Sequence, residues 1–314
     1  MPDPASSACI RLANDADLPA IYDLAAAALT LDTFSSGLLW EKLFDNPAPE
    51  QFRKRVYAAE LAGRMVGFMQ CVERPAQSKG WLGVFAVEES HRRRGIATDL
   101  FERLLADWRK AGITEAEVLA IPGNYFNPGL DPRYTPALCF VEARRFERFK
   151  DCVNMTAFLD KRFETERDEA QRADQGIVVR RATRDDDPLL DAFFAGDFGP
   201  DWRMEAELAM RNDPPGLHLA FKAGQIIGFS GHSSQNREWG FFGPMGTTPA
   251  ARGTGIGRIL LRRCLNDLFD AGHRTSVIPW VGPIGFYSRY VPCRVDRVFW
   301  RYRRAVSEPS MPAT

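Results

Sequence analysis

The sequence predicts a mixed α/β (α+β) protein made of two tandem copies of one domain, each a mostly antiparallel central sheet flanked by helices. Three observations predict it. The 314 residues suffice for about two domains of ordinary size. Short segments recur at nearly one offset: Ala62-Gly63-Arg64-Met65-Val66-Gly67-Phe68 returns as Ala223-Gly224-Gln225-Ile226-Ile227-Gly228-Phe229, Arg92–Ala97 returns as Arg252–Gly257, and Lys110-Ala111-Gly112 as Asp270-Ala271-Gly272. That period is too long for a solenoid. Within each copy, short apolar runs alternate with stretches of helical period. The expected boundaries are 1–160 for the first domain, 161–175 for a charged linker, 176–305 for the second domain and 306–314 for a tail.

In the first copy, Ile10–Ala13 is a short strand and Asp17–Leu29 a helix opened by acidic residues. Val56–Glu60 and Met65–Val72 form a hairpin around Ala62-Gly63, and Trp81–Val87 is apolar enough for a central strand. Gly95–Ala111 places Ile96, Leu100, Leu104, Leu105 and Trp108 on one helical face, and Gly112 ends it. Val118–Ile121 is the next strand. The second copy repeats the plan as Val178–Ala182, Leu189–Phe194, Leu219–Lys222, Ile226–Ser230, Phe241–Thr247, Gly255–Ala271 and Thr275–Val281.

Composition narrows the functions. Apolar residues make up 45% and charged residues 26%, and 41 basic side chains balance 41 acidic ones, which argues against disorder and against an electrostatic grip on nucleic acid. No run of eighteen apolar residues and no basic-then-apolar start is present, so neither a membrane span nor a secretory signal is expected, and the protein is expected in the cytoplasm. Six scattered cysteines lack C-x-x-C pairs or neighbouring histidines; they are expected as reduced thiols, with no metal site.

The strongest chemical signal is Met245-Gly246-Thr247-Thr248-Pro249-Ala250-Ala251-Arg252-Gly253-Thr254-Gly255-Ile256-Gly257-Arg258, which leaves an apolar strand and enters an amphipathic helix. A helix N-terminus leaves about four N–H donors unpaired and carries roughly half a positive charge, so a pyrophosphate fits there without a lysine. Gly257 is expected to let the ligand approach. A Rossmann site would need an acid on the following strand, and Thr275–Val281 has none; a P-loop would need a following G-K-[ST], also missing.

The segment resembles the signature of the GNAT superfamily of acyl-coenzyme A N-acyltransferases: an apolar strand, [RQ]-x-x-G-x-[GA], then a helix. Both copies carry it, as Arg92-x-x-Gly95-x-Ala97 and Arg252-x-x-Gly255-x-Gly257, and the resemblance covers about residues 9–304 in a tandem arrangement similar to mycothiol synthase-like members. It implies coenzyme A contacts at Met245, Gly246, Thr247, Arg252, Gly253, Thr254, Gly255, Ile256, Gly257, Arg258 and Phe286. In the first copy it implies Val87, Arg92, Arg93, Arg94, Gly95, Ile96 and Ala97. The interrupted strand Phe241–Thr247, with Pro244 between Phe242-Gly243 and Met245-Gly246, suits the splayed strand on which the family lays the pantetheine arm.

The resemblance also implies a tyrosine that protonates the departing thiolate, matched by Tyr287 after Phe286. In the first copy Phe140 is followed by Val141, which has no proton to give, so that domain is expected to be non-catalytic. A base must take a proton from the incoming ammonium, and the candidates are Glu238, ahead of the fourth strand, and His232. Acetyl-coenzyme A is the default donor and a small-molecule amine the acceptor. The alternatives are an acyl carrier protein's phosphopantetheine thioester as donor, or a non-catalytic coenzyme A-binding sensor or scaffold. The long irregular segment Pro122–Tyr134 suits either an acceptor pocket at the domain interface or simple packing of Tyr125 and Phe126 between the domains. Asp197, Asp201 and Trp202 fall where the family borders its acceptor.

Overall fold

The computed structural model describes residues 8–306. Its chain divides into two compact units, one formed by the residues up to Asp151 and from Phe299 onward, the other by Cys152–Val298. The divisions fall at 151/152 and 298/299 and not at 160 and 176, and the segment 299–305 belongs with the first unit. Beyond Val306, the expected tail lies outside the described residues, as does the start of the chain before Ala8.

The first unit runs β1 (Cys9–Leu12), α1 (Leu18–Ala28), α2 (Ser36–Leu43), β2 (Arg53–Leu61), β3 (Arg64–Arg74), β4 (Lys79–Val87), α3 (Ile96–Lys110), β5 (Glu115–Val118) and α4 (Thr135–Ala143). Strands β1 to β4 pair antiparallel in chain order, for example Ile10↔Ala59, Tyr57↔Met69 and Phe68↔Ala86. The β2–β3 turn holds Ala62 at φ 49° and Gly63 at φ 75°, the doubly left-handed conformation that matches strand twist in a two-residue hairpin. β4 and β5 are parallel, joined by α3, and pair from Lys79↔Glu115 to Leu82↔Val118. The unit's sheet is completed by the end of the last strand, β12 (Cys293–Ala305), with Arg303↔Glu117. Leu100, Phe101, Leu104 and Trp108 of α3 fill the core against Tyr57, Met69 and Leu82.

The second unit contains most of β6 (Glu147–Phe158), then α5 (Glu166–Ala173), β7 (Ile177–Arg181), α6 (Asp187–Asp197), α7 (Pro200–Met210), β8 (Leu217–Lys222), β9 (Gln225–His232), β10 (Phe242–Thr247), α8 (Ile256–Asp270), β11 (Thr275–Ile278) and α9 (Ile284–Tyr290). β10, β9, β8 and β7 form a four-stranded antiparallel sheet with β10 at its edge. The β8–β9 turn repeats the earlier hairpin, Ala223 at φ 50° and Gly224 at φ 77°. β11 pairs with β6, Thr275↔Phe158 to Ile278↔Met155.

Four expectations change. The strand expected at Val118–Ile121 ends at Val118, because Leu119 and Ala120 are both left-handed at φ 57°. The strand expected over Thr275–Val281 stops at Ile278, before Trp280 at φ 48°. The expected linker contains α5, whose acids Asp168 and Glu169 pair with Arg258 and Arg263 of α8. The segment Pro122–Tyr134 packs within the first unit: Asn124 Nδ2 donates to the Glu41 and Asp45 carbonyls, each at 3.1 Å, and Phe126 meets Phe34 edge-on at 5.4 Å.

Candidate active site

Both glycine loops have the same backbone. In the second unit Thr248 donates to the Ile227 carbonyl, a 3-10 turn covers Pro249–Ala251, Arg252 is extended, and Gly253 (φ 78°) and Gly255 (φ 86°) are left-handed before α8. In the first, Glu88 donates to Val66, the turn covers Glu89–His91, and Arg93 (φ 63°) and Gly95 (φ 87°) precede α3. A non-glycine residue pays a conformational cost at such a φ, and Arg93 adopts it anyway. Among the described residues, the N–H groups of Gly253, Gly255, Ile256 and Gly257 have no backbone acceptor. A Cβ added at Gly253 or Gly255 would meet nothing within 4 Å, so the loop's outer surface is open. At Gly257 a Cβ would lie 3.3 Å from the Phe286 ring, so its missing side chain also makes room for Phe286.

The strand leading into the loop has a free edge. Main-chain groups of successive residues point to opposite sides of a strand. Since the Thr248 N–H reaches Ile227 of β9 at 3.0 Å, the main-chain groups of Gly246 also face β9, and those of Met245 and Thr247 face away from it. The register shifts between Phe242 and Met245, around the cis Gly243-Pro244 bond. One side of β10 is sealed, because a Cβ on Gly246 would collide with the Phe198 ring. Phe198 in turn stacks on Trp202 at 5.5 Å and 12°, leaving Trp202 partly exposed beside Asp201 at the α6–α7 corner.

Tyr287 sits on α9 in the core cluster that holds Phe242, with Met245, Phe286 and Tyr290 packed against it. Its ring meets Phe286 at 5.2 Å and Phe242 at 6.1 Å, both edge-on. Its hydroxyl has no hydrogen-bond partner among the described residues, and burial pushes the phenol up to about 12. Tyr287, Phe286, Met245 and Gly257 are thus gathered at the start of α8. In the first unit the equivalent Val141 is fully buried, Phe140 packs on Phe85 at 5.6 Å, and Arg92 Nε donates to the Val87 carbonyl at 3.1 Å, so that carbonyl is already taken.

Three expected site residues stand apart from this group. Glu238 is exposed in the 3-10 turn Arg237–Trp239 ahead of β10. His232 faces α8: its Nε2 lies 3.1 Å from Asp267 Oδ2 and its Nδ1 lies 3.0 Å from the Ser233 hydroxyl, so both ring nitrogens are engaged. Arg258 pairs with Asp168 at 2.5 Å and lies over the Tyr290 ring at 5.6 Å. Sequence reading missed the network around His232. His218 Nε2 also meets Asp267 Oδ2, at 2.7 Å, and Arg181 holds Oδ1 at 2.7 Å. Burial alone would raise the Asp267 carboxyl, but the hydrogen bonds from His218 and His232 hold it far below the usual range. Burial pushes His218 down against the pull of Asp267. The ligand atoms of these three side chains lie within 4.8 Å of one another, but Arg181 adds a positive charge to the one carboxylate, and hydrogen bonding accounts for the arrangement. The i, i+14 spacing of His218 and His232 across a hairpin was the only sequence signal for it.

Comparison with known proteins accords with this geometry. The acetyltransferase (GNAT) family model matches residues 18–125 and 178–288. No curated protein matches the chain. Among solved structures, a GCN5-related glucosamine N-acetyltransferase region of a fungal multi-domain GH3 beta-N-acetylglucosaminidase aligns at TM-score 0.80 and 18% identity over 96% of this chain; the chain spans 38% of that longer protein. A GCN5-related N-acetyltransferase from Sphaerobacter thermophilus aligns at TM-score 0.71 and 18% identity, covering 96% of both chains. A tandem GNAT protein from the clavulanic acid biosynthesis pathway aligns at TM-score 0.71 and 15% identity, over 96% of this chain and 100% of its own. With one matched region in each half and the glycine loop folded alike in both, the chain belongs to the acetyltransferase (GNAT) family.

Proposed function

We propose that the C-terminal module transfers an acyl group, acetyl by default, from acyl-coenzyme A to the amine of a small molecule by direct attack, and that the N-terminal module does no chemistry. The observation that carries this reading is the contrast between Tyr287 and Val141: one module has a buried ring whose protonated hydroxyl has no partner among the described residues, and the other has a fully buried isopropyl group there. The residues present fit the donor. The unpartnered N–H groups of Gly253, Gly255, Ile256 and Gly257 suit a pyrophosphate, and the free edge at Met245 and Thr247 suits the amides of a pantetheine arm. The thioester supplies an activated acyl carbon and a thiolate leaving group.

Tyr287 is then the group that returns a proton to that thiolate. Main-chain N–H groups on the open edge of β10 stabilise charge on the carbonyl oxygen as the amine adds. The ammonium must first shed a proton. Glu238, exposed ahead of β10, is the candidate for this step, whereas His232 has both ring nitrogens committed. All six cysteines are free, which suits a reducing compartment such as the cytoplasm, and among the described residues no helix is long and apolar enough to cross a membrane. The test is thiol release from acetyl-coenzyme A across a panel of small amines. Turnover that falls at least about tenfold in Tyr287→Phe supports the reading; coenzyme A binding without turnover for any acceptor, with acylated carrier protein as well as with acetyl-coenzyme A, contradicts it.

A further inference from the structure

In the C-terminal loop the peptide between Thr254 and Gly255 leads into a sterically unencumbered glycine. Gly255 is left-handed at φ 86° with open space where a Cβ would be, and glycine tolerates the opposite sign of φ about as well. A half-turn of this peptide plane would therefore cost little. It would also undo the site, because in a planar trans peptide the Thr254 carbonyl and the Gly255 N–H point in opposite directions. Whatever fixes the carbonyl fixes the donor.

That carbonyl is held by a residue from outside both family-matched regions. Arg172, on α5, donates from Nη1 to the Thr254 oxygen at 2.8 Å and to Gln175 Oε1 at 3.0 Å. α5 buries none of its own side chains and is tied to α8 by charge: Arg258 meets Asp168 at 2.5 Å, and Arg263 grips Glu169 with two bonds of 2.8 and 2.6 Å. The Thr254 side chain turns the other way, its hydroxyl donating to the Ala251 carbonyl at 2.7 Å. In the first unit Arg94 occupies the position of Thr254, and the matched region there begins at residue 18, with only β1 and a 3-10 turn over Asp15–Asp17 ahead of it among the described residues.

We infer that Arg172 is a positioning residue for the donor's pyrophosphate, locking the Thr254–Gly255 peptide so that the Gly255 N–H faces the phosphates. A cation on the carbonyl also polarises the peptide and strengthens the N–H as a donor. This deepens the acyl-coenzyme A reading and rests on it. The role explains why a segment with the composition of a linker is a helix pinned at that place.

The test measures the affinity of the full chain for coenzyme A, 3′,5′-ADP and pantetheine by titration calorimetry, for the wild type, Arg172→Met and Arg172→Lys. With Met, coenzyme A is expected to weaken about tenfold, the low end of what a charged hydrogen bond contributes, and 3′,5′-ADP, which keeps only the 5′-phosphate half of that pyrophosphate, by no more than that. Pantetheine, which has no pyrophosphate, is expected to be unchanged. Lysine can still donate to the Thr254 carbonyl and is expected to recover most of the loss. In turnover, KM for acetyl-coenzyme A rises in Arg172→Met while kcat holds. Unchanged coenzyme A affinity in Arg172→Met overturns the role of Arg172 and leaves the donor reading standing. An equal loss for pantetheine overturns it too, because a general disturbance would not discriminate. A wild-type protein that binds none of the three overturns the donor reading and this inference together.

Discussion

Replacing Tyr287 by phenylalanine removes one oxygen and almost nothing else. The ring keeps its edge-on contacts with Phe242 at 6.1 Å and Phe286 at 5.2 Å, and no described residue loses a hydrogen-bond partner. Folding stability should therefore be unchanged. Proton donation by a positioned side chain contributes roughly a hundred- to ten-thousandfold to a rate. A coenzyme A thiol with a pKa of about 8.5, like free cysteine, needs that proton less than most leaving groups do. The expected loss in kcat is thus about ten- to a hundredfold, or about 1.4–2.7 kcal/mol of barrier. Burial raises the phenol to about 12, so the proton stays on Tyr287 through the whole working range and its ionisation adds no alkaline decline below that pH. The assay is stopped-flow thiol detection with acetyl-coenzyme A, paired with calorimetric coenzyme A affinity. A wild-type kcat in Tyr287→Phe would remove the hydroxyl from the chemistry; a parallel loss of coenzyme A affinity would show that it acts in binding.

Gly246→Ala would drive a methyl into the Phe198 ring, and urea titration should show a loss of about 1–3 kcal/mol; an unchanged midpoint would mean that the α6–α7 corner yields freely. Gly257→Asp should abolish measurable coenzyme A binding by calorimetry, since it adds negative charge to the loop and displaces Phe286, and retained affinity would place the phosphates elsewhere. Glu238→Gln should lower kcat about a hundredfold or more, whereas a wild-type kcat would exclude it as the base. His218, pushed below its ordinary value by burial, binds a proton more readily in the unfolded chain; stability should be full above about pH 6.5 and fall as the pH drops below it. Asp267, depressed by its histidine partners, keeps its contribution until much lower pH. Urea midpoints that are flat from pH 7 to pH 5 would contradict the His218 assignment.

Much of the site was legible because the backbone itself repeats. Ala62-Gly63 and Ala223-Gly224 adopt the same left-handed pair, and Gly95 and Gly255 open their helices at φ values one degree apart, so residue types that permit such conformations marked both copies. The expectation for Phe286 and Tyr287 came from the family resemblance, as the pair on the helix after the fifth strand. Long-range features were less visible. Nothing local in Glu147–Phe158 or Cys293–Ala305 announces which unit a strand serves, since strand partners are chosen by sequence-distant packing. α5 read as a linker because no apolar face marks it; its order comes from ion pairs with arginines some ninety residues away. His232 looked like a free base until folding set Asp267 against it. Leu119 and Ala120 show the same limit in reverse, being apolar residues that continue the run of β5 by type yet take left-handed conformations where β4 and β5 part.

The central claim is that the carboxy-proximal module holds the thioester with its sulfur beside Tyr287. A crystal structure of the wild-type protein with acetyl-coenzyme A tests it most directly. The account predicts diphosphate oxygens on the Gly253, Gly255 and Gly257 amides, the pantetheine arm along Met245 and Thr247, and the sulfur within hydrogen-bond reach of the Tyr287 hydroxyl. A nucleotide bound only at the Arg93–Ala97 loop, with the Gly253–Gly257 loop bare, would contradict it.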